Sequence, residues 1–258
     1  LVDGEPTGIL TAEIINWTGK VIVAPRDKLD DVAGRDEVRR TGIYCLIGPD
    51  PDVAGREMVY LGEGDNVLTR LASHNKDESK EFWTRCVVVI SKDQNLTKSH
   101  VRYLESRLIH MGHQAGRARI TNGTAPSTPP LPEPDIADME FFLQQVQLMF
   151  PVLGFGFLQP KPQISNERHI EQSSNDSPLF ELSVVGAQAT AREVNGEFVV
   201  FQGSTARKNG SASWTSYRAL RDQLIAEGVL SDSDSPDFLV FSENVAFNSP
   251  RDSLKYQA

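Results

Sequence analysis

Two short runs, 42–48 (Gly-Ile-Tyr-Cys-Leu-Ile-Gly) and 57–63 (Glu-Met-Val-Tyr-Leu-Gly-Glu), are apolar between glycine or charged ends. Both runs read as strands, and the Pro49-Asp50-Pro51-Asp52 loop with Gly55 between them suits an antiparallel pair. Ile43, Cys45 and Ile47 fall on one face, with Val59 and Leu61 on the matching face of the second strand. A register that buries these aliphatics together sends Tyr44 and Tyr60 to the same opposite side. Residues 85–91 (Arg-Cys-Val-Val-Val-Ile-Ser) predict a third strand, apolar enough to be covered on both faces.

Helical spacing appears between and after these strands. Asp65 or Asn66 caps a short helix carrying Arg70 and His74 at i, i+4, hence on one face. Thr97 caps a longer helix whose stripe is Val101, Leu104, Leu108, Met111 and Ala115, ended by Gly116. Residues 123–134 hold five prolines and read as an extended connector. A helix capped by Asp135 follows, with Met139, Phe142, Leu143, Val146 and Met149 in phase until Pro151. A second, polar connector covers 159–178. Beyond it, 181–186, 188–194 and 197–202 read as strands around an Asn195-Gly196 hairpin turn. Ser213 caps a helix burying Trp214, Tyr217, Leu220, Leu224 and Ile225, and 238–242 returns as a strand.

The expected fold class is therefore α+β: a small antiparallel three-stranded sheet with flanking helices, plus a second small α+β domain. The domain expectation is an N-terminal β-rich extension (1–40), a first α+β domain (41–122), a Pro-rich linker with helix and polar linker (123–178), and a C-terminal accessory domain (179–258).

Length and composition leave an ordinary globular chain of 258 residues, 39% hydrophobic and 24% charged. No apolar run is long enough for a membrane span. The acidic start is not a secretory signal, and a chain opening on Leu1 without methionine reads as trimmed. Cys45 and Cys86, each inside an apolar run, read as buried thiols of a cytoplasmic protein. A net charge of −9 argues against nucleic-acid binding until its distribution is considered. Residues 41–125 carry 11 basic and 10 acidic side chains and four of the five histidines, so the acidity lies elsewhere.

Glu105 stands out chemically. Helical geometry puts it about 40° from Val101 and about 60° from Leu108, at the edge of the apolar stripe. A carboxylate there needs a cation or hydrogen bonds: a divalent metal ion is one answer, Arg102 or contact with water the other. Tyr44 and Tyr60 by themselves fit ordinary strand packing, and Arg70 with His74 fits a solvated helix face.

Taken together, Gly42-Ile43-Tyr44, Tyr60-Leu61-Gly62, Arg70, His74, Glu105 and Asn122 resemble the GIY-YIG nuclease superfamily. The first tripeptide matches letter for letter; the second has leucine where the family name has isoleucine. The fifteen residues between the two tyrosines exceed the usual spacing, and the surplus falls in the Pro/Asp/Gly loop. Residues 180–248 also resemble a domain of unknown function often fused behind such nucleases, a resemblance that fades at 251–258.

The resemblance implies a metal-dependent endonuclease that hydrolyses DNA phosphodiester bonds with one Mg²⁺ or Mn²⁺ ion. Glu105 would hold the metal, Tyr44 would act as general base, and Tyr60 would orient the attacking water. Arg70 would contact the scissile phosphate, His74 would donate to phosphate or assist as a base, and Asn122 would steady the phosphate or metal shell. A phenol with an ordinary pKa near 10 needs about 4 kcal/mol of help to act near pH 7, and Arg70 is the cation at hand. Asn122-Gly123 also fits a plain turn. Lys76, Lys80, Lys92, Lys98 and Arg102 could follow a phosphate backbone; in the second domain Arg207, Lys208, Arg218 and Arg221 could touch DNA, with Trp214 and Tyr217 as core. A non-cleaving nucleic-acid-binding scaffold and a protein-interaction adaptor are the alternatives.

Overall fold

The computed structural model describes residues 8–53, 56–123, 127–160, 177–184, 186–194, 197–208 and 218–247. The chain divides into two compact units, 1–160 and 161–258. Both are mixed α+β.

Six strands form the sheet of the first unit: β1 (Leu10–Glu13), β2 (Gly19–Pro25), β3 (Gly42–Pro49), β4 (Glu57–Gly64), β5 (Arg85–Ser91) and β6 (Ala118–Ile120). Their order is β1-β2-β5-β3-β4-β6, antiparallel except for the β4–β6 pair. The three strands expected from the sequence are the centre of this sheet. The apolar run Val21–Ala24 pairs with the outer edge of β5, so the N-terminal residues extend the same sheet. With β3 on one side and β2 on the other, the backbone groups of β5 are paired along both edges.

Helices cover both faces. The helices are α1 (Leu29–Ala33), α2 (Val67–Asn75), α3 (Lys98–Ala115) and α4 (Glu133–Val152). Ile43, Cys45, Ile47, Val59, Leu61, Val87 and Val89 meet the α3 stripe and α4 on one face. Tyr44, Leu46, Val88 and Ile90 meet α1 and α2 on the other. The Thr97 hydroxyl and the His100 ring form a capping box at the start of α3, and Gly116 ends it in the left-handed region (φ 63°).

The α4 helix is part of this core rather than of a linker. Phe142, Val146 and Phe150 are buried in it, and the Phe142 ring lies 4.9 Å from that of Trp17. Its first residue is Glu133, after Pro132. Asp135 therefore sits inside the first turn instead of capping it, and Pro151 occupies the last turn. Pro134 is tolerated because first-turn N–H groups lack helical partners in any case.

In the second unit, β7 (Phe180–Val184), β8 (Ala187–Val194), β9 (Glu197–Val200) and β13 (Val245–Phe247) form one sheet, ordered β13-β9-β8-β7. A second sheet holds β10 (Thr205–Arg207), β12 (Phe238–Phe241) and β11 (Leu230–Asp232). The helix α5 (Arg218–Ala226) buries Leu224, whereas Ile225, expected inside, is 42% exposed. The expected hairpin turn at Asn195-Gly196 and the residues Ser213, Trp214 and Tyr217 lie outside the described residues. Among the described residues no helix is long and apolar enough to cross a membrane.

Candidate active site

Tyr44 and Tyr60 project from neighbouring strands on the α2 side of the sheet. Tyr44 is opposite Gly62 in the β3–β4 register and Leu46 is opposite Tyr60, so the two rings sit 6.3 Å apart. Gly62 is open because Tyr44 needs the space: a Cβ there would collide with the Tyr44 ring carbon Cζ and hydroxyl. Gly64 does the same for the stem of Arg70, whose Cγ would lie 2.8 Å from an added Cβ. Two glycines on one strand thus admit one side chain from β3 and one from α2.

The α2 helix lies on this face, capped by the Asn66 side chain accepting from the Thr69 N–H at 3.1 Å. Val67, Leu71 and His74 form its buried stripe. His74 Nε2 is 2.8 Å from the Tyr44 hydroxyl, and its ring meets Tyr60 edge-on at 5.1 Å. Arg70, one turn earlier, interacts electrostatically with both phenols, most strongly with Tyr44. Tyr44, Tyr60, Arg70 and His74 therefore converge. Tyr44 is wholly buried; Tyr60 is the phenol with exposed surface.

Burial governs the protonation of this group. It pushes the Tyr44 phenol far above the ordinary range; Tyr60 adds to the shift and Arg70 only partly opposes it. The sequence-based expectation that Arg70 would make Tyr44 a ready base gives way to desolvation, the larger effect. Tyr60 is raised for the same first reason. His74 is held below its ordinary value by burial and by the cations Arg70 and Lys80, so it is a neutral imidazole at pH 7.

Glu105 comes from α3, and its charge is felt at both phenols. It is half-buried and pushed up to about 7, first by burial and then by the Glu63 carboxylate, against Lys98, Arg70 and Arg102. Neither Arg102 nor any other described cation forms an ion pair with it. Glu63 is paired instead, with Lys98 Nζ at 2.7 Å, and the same ammonium reaches Asp65 at 3.5 Å. Glu63 escaped the sequence reading, although alternation along β4 puts it on the Leu61 face, toward α3.

Asn122 is bonded to the backbone of β4. Its Oδ1 accepts from the Leu61 N–H at 3.0 Å and its Nδ2 donates to the Leu61 carbonyl at 2.7 Å. Both amide groups are engaged in extending the β4 edge beyond β6, which fixes the Asn122 side chain against Leu61 and leaves one Nδ2 hydrogen and one Oδ1 lone pair for a further contact.

Among the described residues no group of three or more His, Cys, Asp and Glu could hold a metal ion. A desolvated carboxylate without a paired cation fits a hard ion that keeps most of its water, as Mg²⁺ does. Glu105 would be its ligand.

Residues 180–253 match a family described as a domain of unknown function (DUF4357). The match lies within the second unit and reaches none of the residues of the Tyr44 site. Neither the curated proteins nor the solved structures provide a match to this chain.

Proposed function

We propose that the first unit is a GIY-YIG-type endonuclease domain that hydrolyses DNA phosphodiester bonds with one Mg²⁺ or Mn²⁺ ion. The observation that carries this reading is the convergence of two phenols, a guanidinium and an imidazole on one sheet face, with the unpaired Glu105 carboxylate within electrostatic reach of them.

When bound, the ion neutralises charge on the phosphate and on the departing oxygen. The protein's own groups do the rest. Arg70 offers a fork of donors suited to two phosphate oxygens. Tyr60, the exposed phenol, faces the substrate and orients the water. Tyr44 and His74 form a relay behind it: in the tautomer with its proton on Nδ1, neutral His74 accepts the Tyr44 O–H at Nε2. As the water's proton reaches the Tyr44 oxygen, the phenol's own proton passes to His74. No free phenolate is formed, which removes the cost that burial imposes on one. Asn122 holds β4 in the register that this geometry needs.

A binding-only scaffold is the second reading, favoured by the full burial of Tyr44. Incubating the protein with duplex, branched and single-stranded DNA, with Mg²⁺, Mn²⁺ or EDTA, separates the two. The nuclease reading expects cutting that EDTA and Glu105→Ala both abolish. Binding without cutting, or cutting unchanged in Glu105→Ala, contradicts it.

A further inference from the structure

The ammonium of Lys80 lies 3.4 Å from the centroid of the Tyr60 ring. It belongs to a short 3₁₀ turn, Glu78–Lys80, and is half-buried. The turn is held at both ends. Arg26 Nε donates to the Asn75 side chain at 2.8 Å, and the same guanidinium donates to the Glu81 carbonyl at 3.2 Å. The Asp77 carboxylate accepts from the Ser79 N–H at 3.0 Å and from its hydroxyl at 2.7 Å. Gly48 lets the following residues pack close, since a Cβ there would strike the Phe82 carbonyl.

A lysine so placed is not simply a solvated surface cation. No described carboxylate lies within ion-pair distance of it; Asp77 attracts it from farther off, and burial outweighs that attraction. Its neighbours on the site side are the protonated Tyr60 phenol and neutral His74, neither an anion. The ring face of Tyr60 is a weak substitute, worth about 0.5–2 kcal/mol. The missing partner is an anion arriving beside Tyr60 and Arg70.

Building on the nuclease reading, we propose that Lys80 is a phosphate-contact residue of this site: its ammonium leaves the Tyr60 ring face for a non-bridging oxygen of the nucleic-acid backbone when the strand binds. This move also uncovers the Tyr60 ring beside the attacking water. Lysine acts here as a point charge, complementing the planar fork of Arg70.

The test compares the full-length wild type with Lys80→Met and Lys80→Arg. Binding to labelled duplex DNA is measured in EDTA by fluorescence anisotropy from about 50 to 200 mM salt, where each neutralised phosphate adds about 0.9 to the slope of log affinity against log salt. Cleavage rates are measured in Mg²⁺ in parallel. Lys80→Met should lower the slope by about one such increment, weaken binding roughly tenfold regardless of sequence, and keep the wild-type melting temperature. Lys80→Arg should restore the slope. Equal slopes and rates for wild type and Lys80→Met, with wild type still cutting, would overturn the Lys80 assignment and leave the nuclease reading standing. A wild type that neither cuts nor shows salt-dependent binding overturns both.

Discussion

The Tyr44 ring lies across Gly62, its register partner on the adjacent strand, so closely that the space of a single methyl group at position 62 is already taken. The tripeptide Tyr60-Leu61-Gly62 thus has a packing reason for its glycine. Gly62→Ala must push the Tyr44 hydroxyl off His74. Overpacking of this kind costs about 1–3 kcal/mol, and cleavage should fall with it. Gly64→Ala meets the flexible stem of Arg70 at 2.8 Å and the Asn66 carbonyl oxygen only at 3.3 Å, and should cost less. Chemical denaturation of the two variants checks the order, and an equally stable Gly62→Ala would refute it.

Tyr44→Phe and Tyr60→Phe should separate structure from chemistry. The first leaves His74 Nε2 buried without its partner, at a cost of about 1–3 kcal/mol, and interrupts the relay. The second removes the outer hydroxyl of a half-exposed ring and should slow cleavage by about 10²-fold or more with little loss of stability. Melting temperatures and single-turnover rates distinguish them.

His74 contributes the acid limb that begins nearest neutrality. Its folded-state value is depressed, so below about pH 6.5 the unfolded chain takes up a proton that the folded chain refuses, and stability falls as pH drops. His74→Gln should flatten this acid limb in a melting-temperature profile. A profile as steep as the wild type's would mean that His74 is not the group responsible.

Glu105 behaves oppositely. Its folded-state value, about 7, lies above the ordinary 4.5, so the folded chain holds the extra proton between them and stability falls as pH rises through that window. For a partly exposed group the effect is on the order of 1 kcal/mol after screening. Metal-free Glu105→Gln should therefore be more stable than wild type at pH 8 and equal to it near pH 4.5. Adding Mg²⁺ at pH 8 should raise the melting temperature of the wild type alone, since only a folded state that binds the ion gains from it. Equal shifts in both proteins would place the ion elsewhere.

Asn122→Ala removes two hydrogen bonds to Leu61 and should cost about 1–3 kcal/mol while leaving the Mg²⁺-dependent thermal shift intact. Loss of the shift at unchanged stability would return Asn122 to the metal shell.

Local features of the first unit were legible in the sequence. Alternation sent Tyr44 and Tyr60 to one face, the i, i+4 spacing put Arg70 beside His74, and Asn66, Thr97 and Gly116 marked helix ends. Pairings between distant segments were not. Nothing in the pattern of Val21–Ala24 names β5 as its partner, and a Pro-rich run hides the fact that α4 belongs to the preceding core. Depth was equally hidden: periodicity gives the side of a strand on which Tyr44 lies, not that α2 closes over it. That closure changes the chemistry, because burial overrides the nearby guanidinium in setting the phenol's protonation.

The most direct measurement is the single-turnover cleavage rate of end-labelled DNA, in Mg²⁺, for wild type and Glu105→Gln side by side. The expected result is discrete cleavage products from wild type and a rate about 10³-fold lower or undetectable in the variant, whose fold and DNA affinity in EDTA are unchanged. Equal rates in the two proteins, or no cleavage by wild type of any DNA form it binds, would contradict the assignment of this site to metal-dependent phosphodiester hydrolysis.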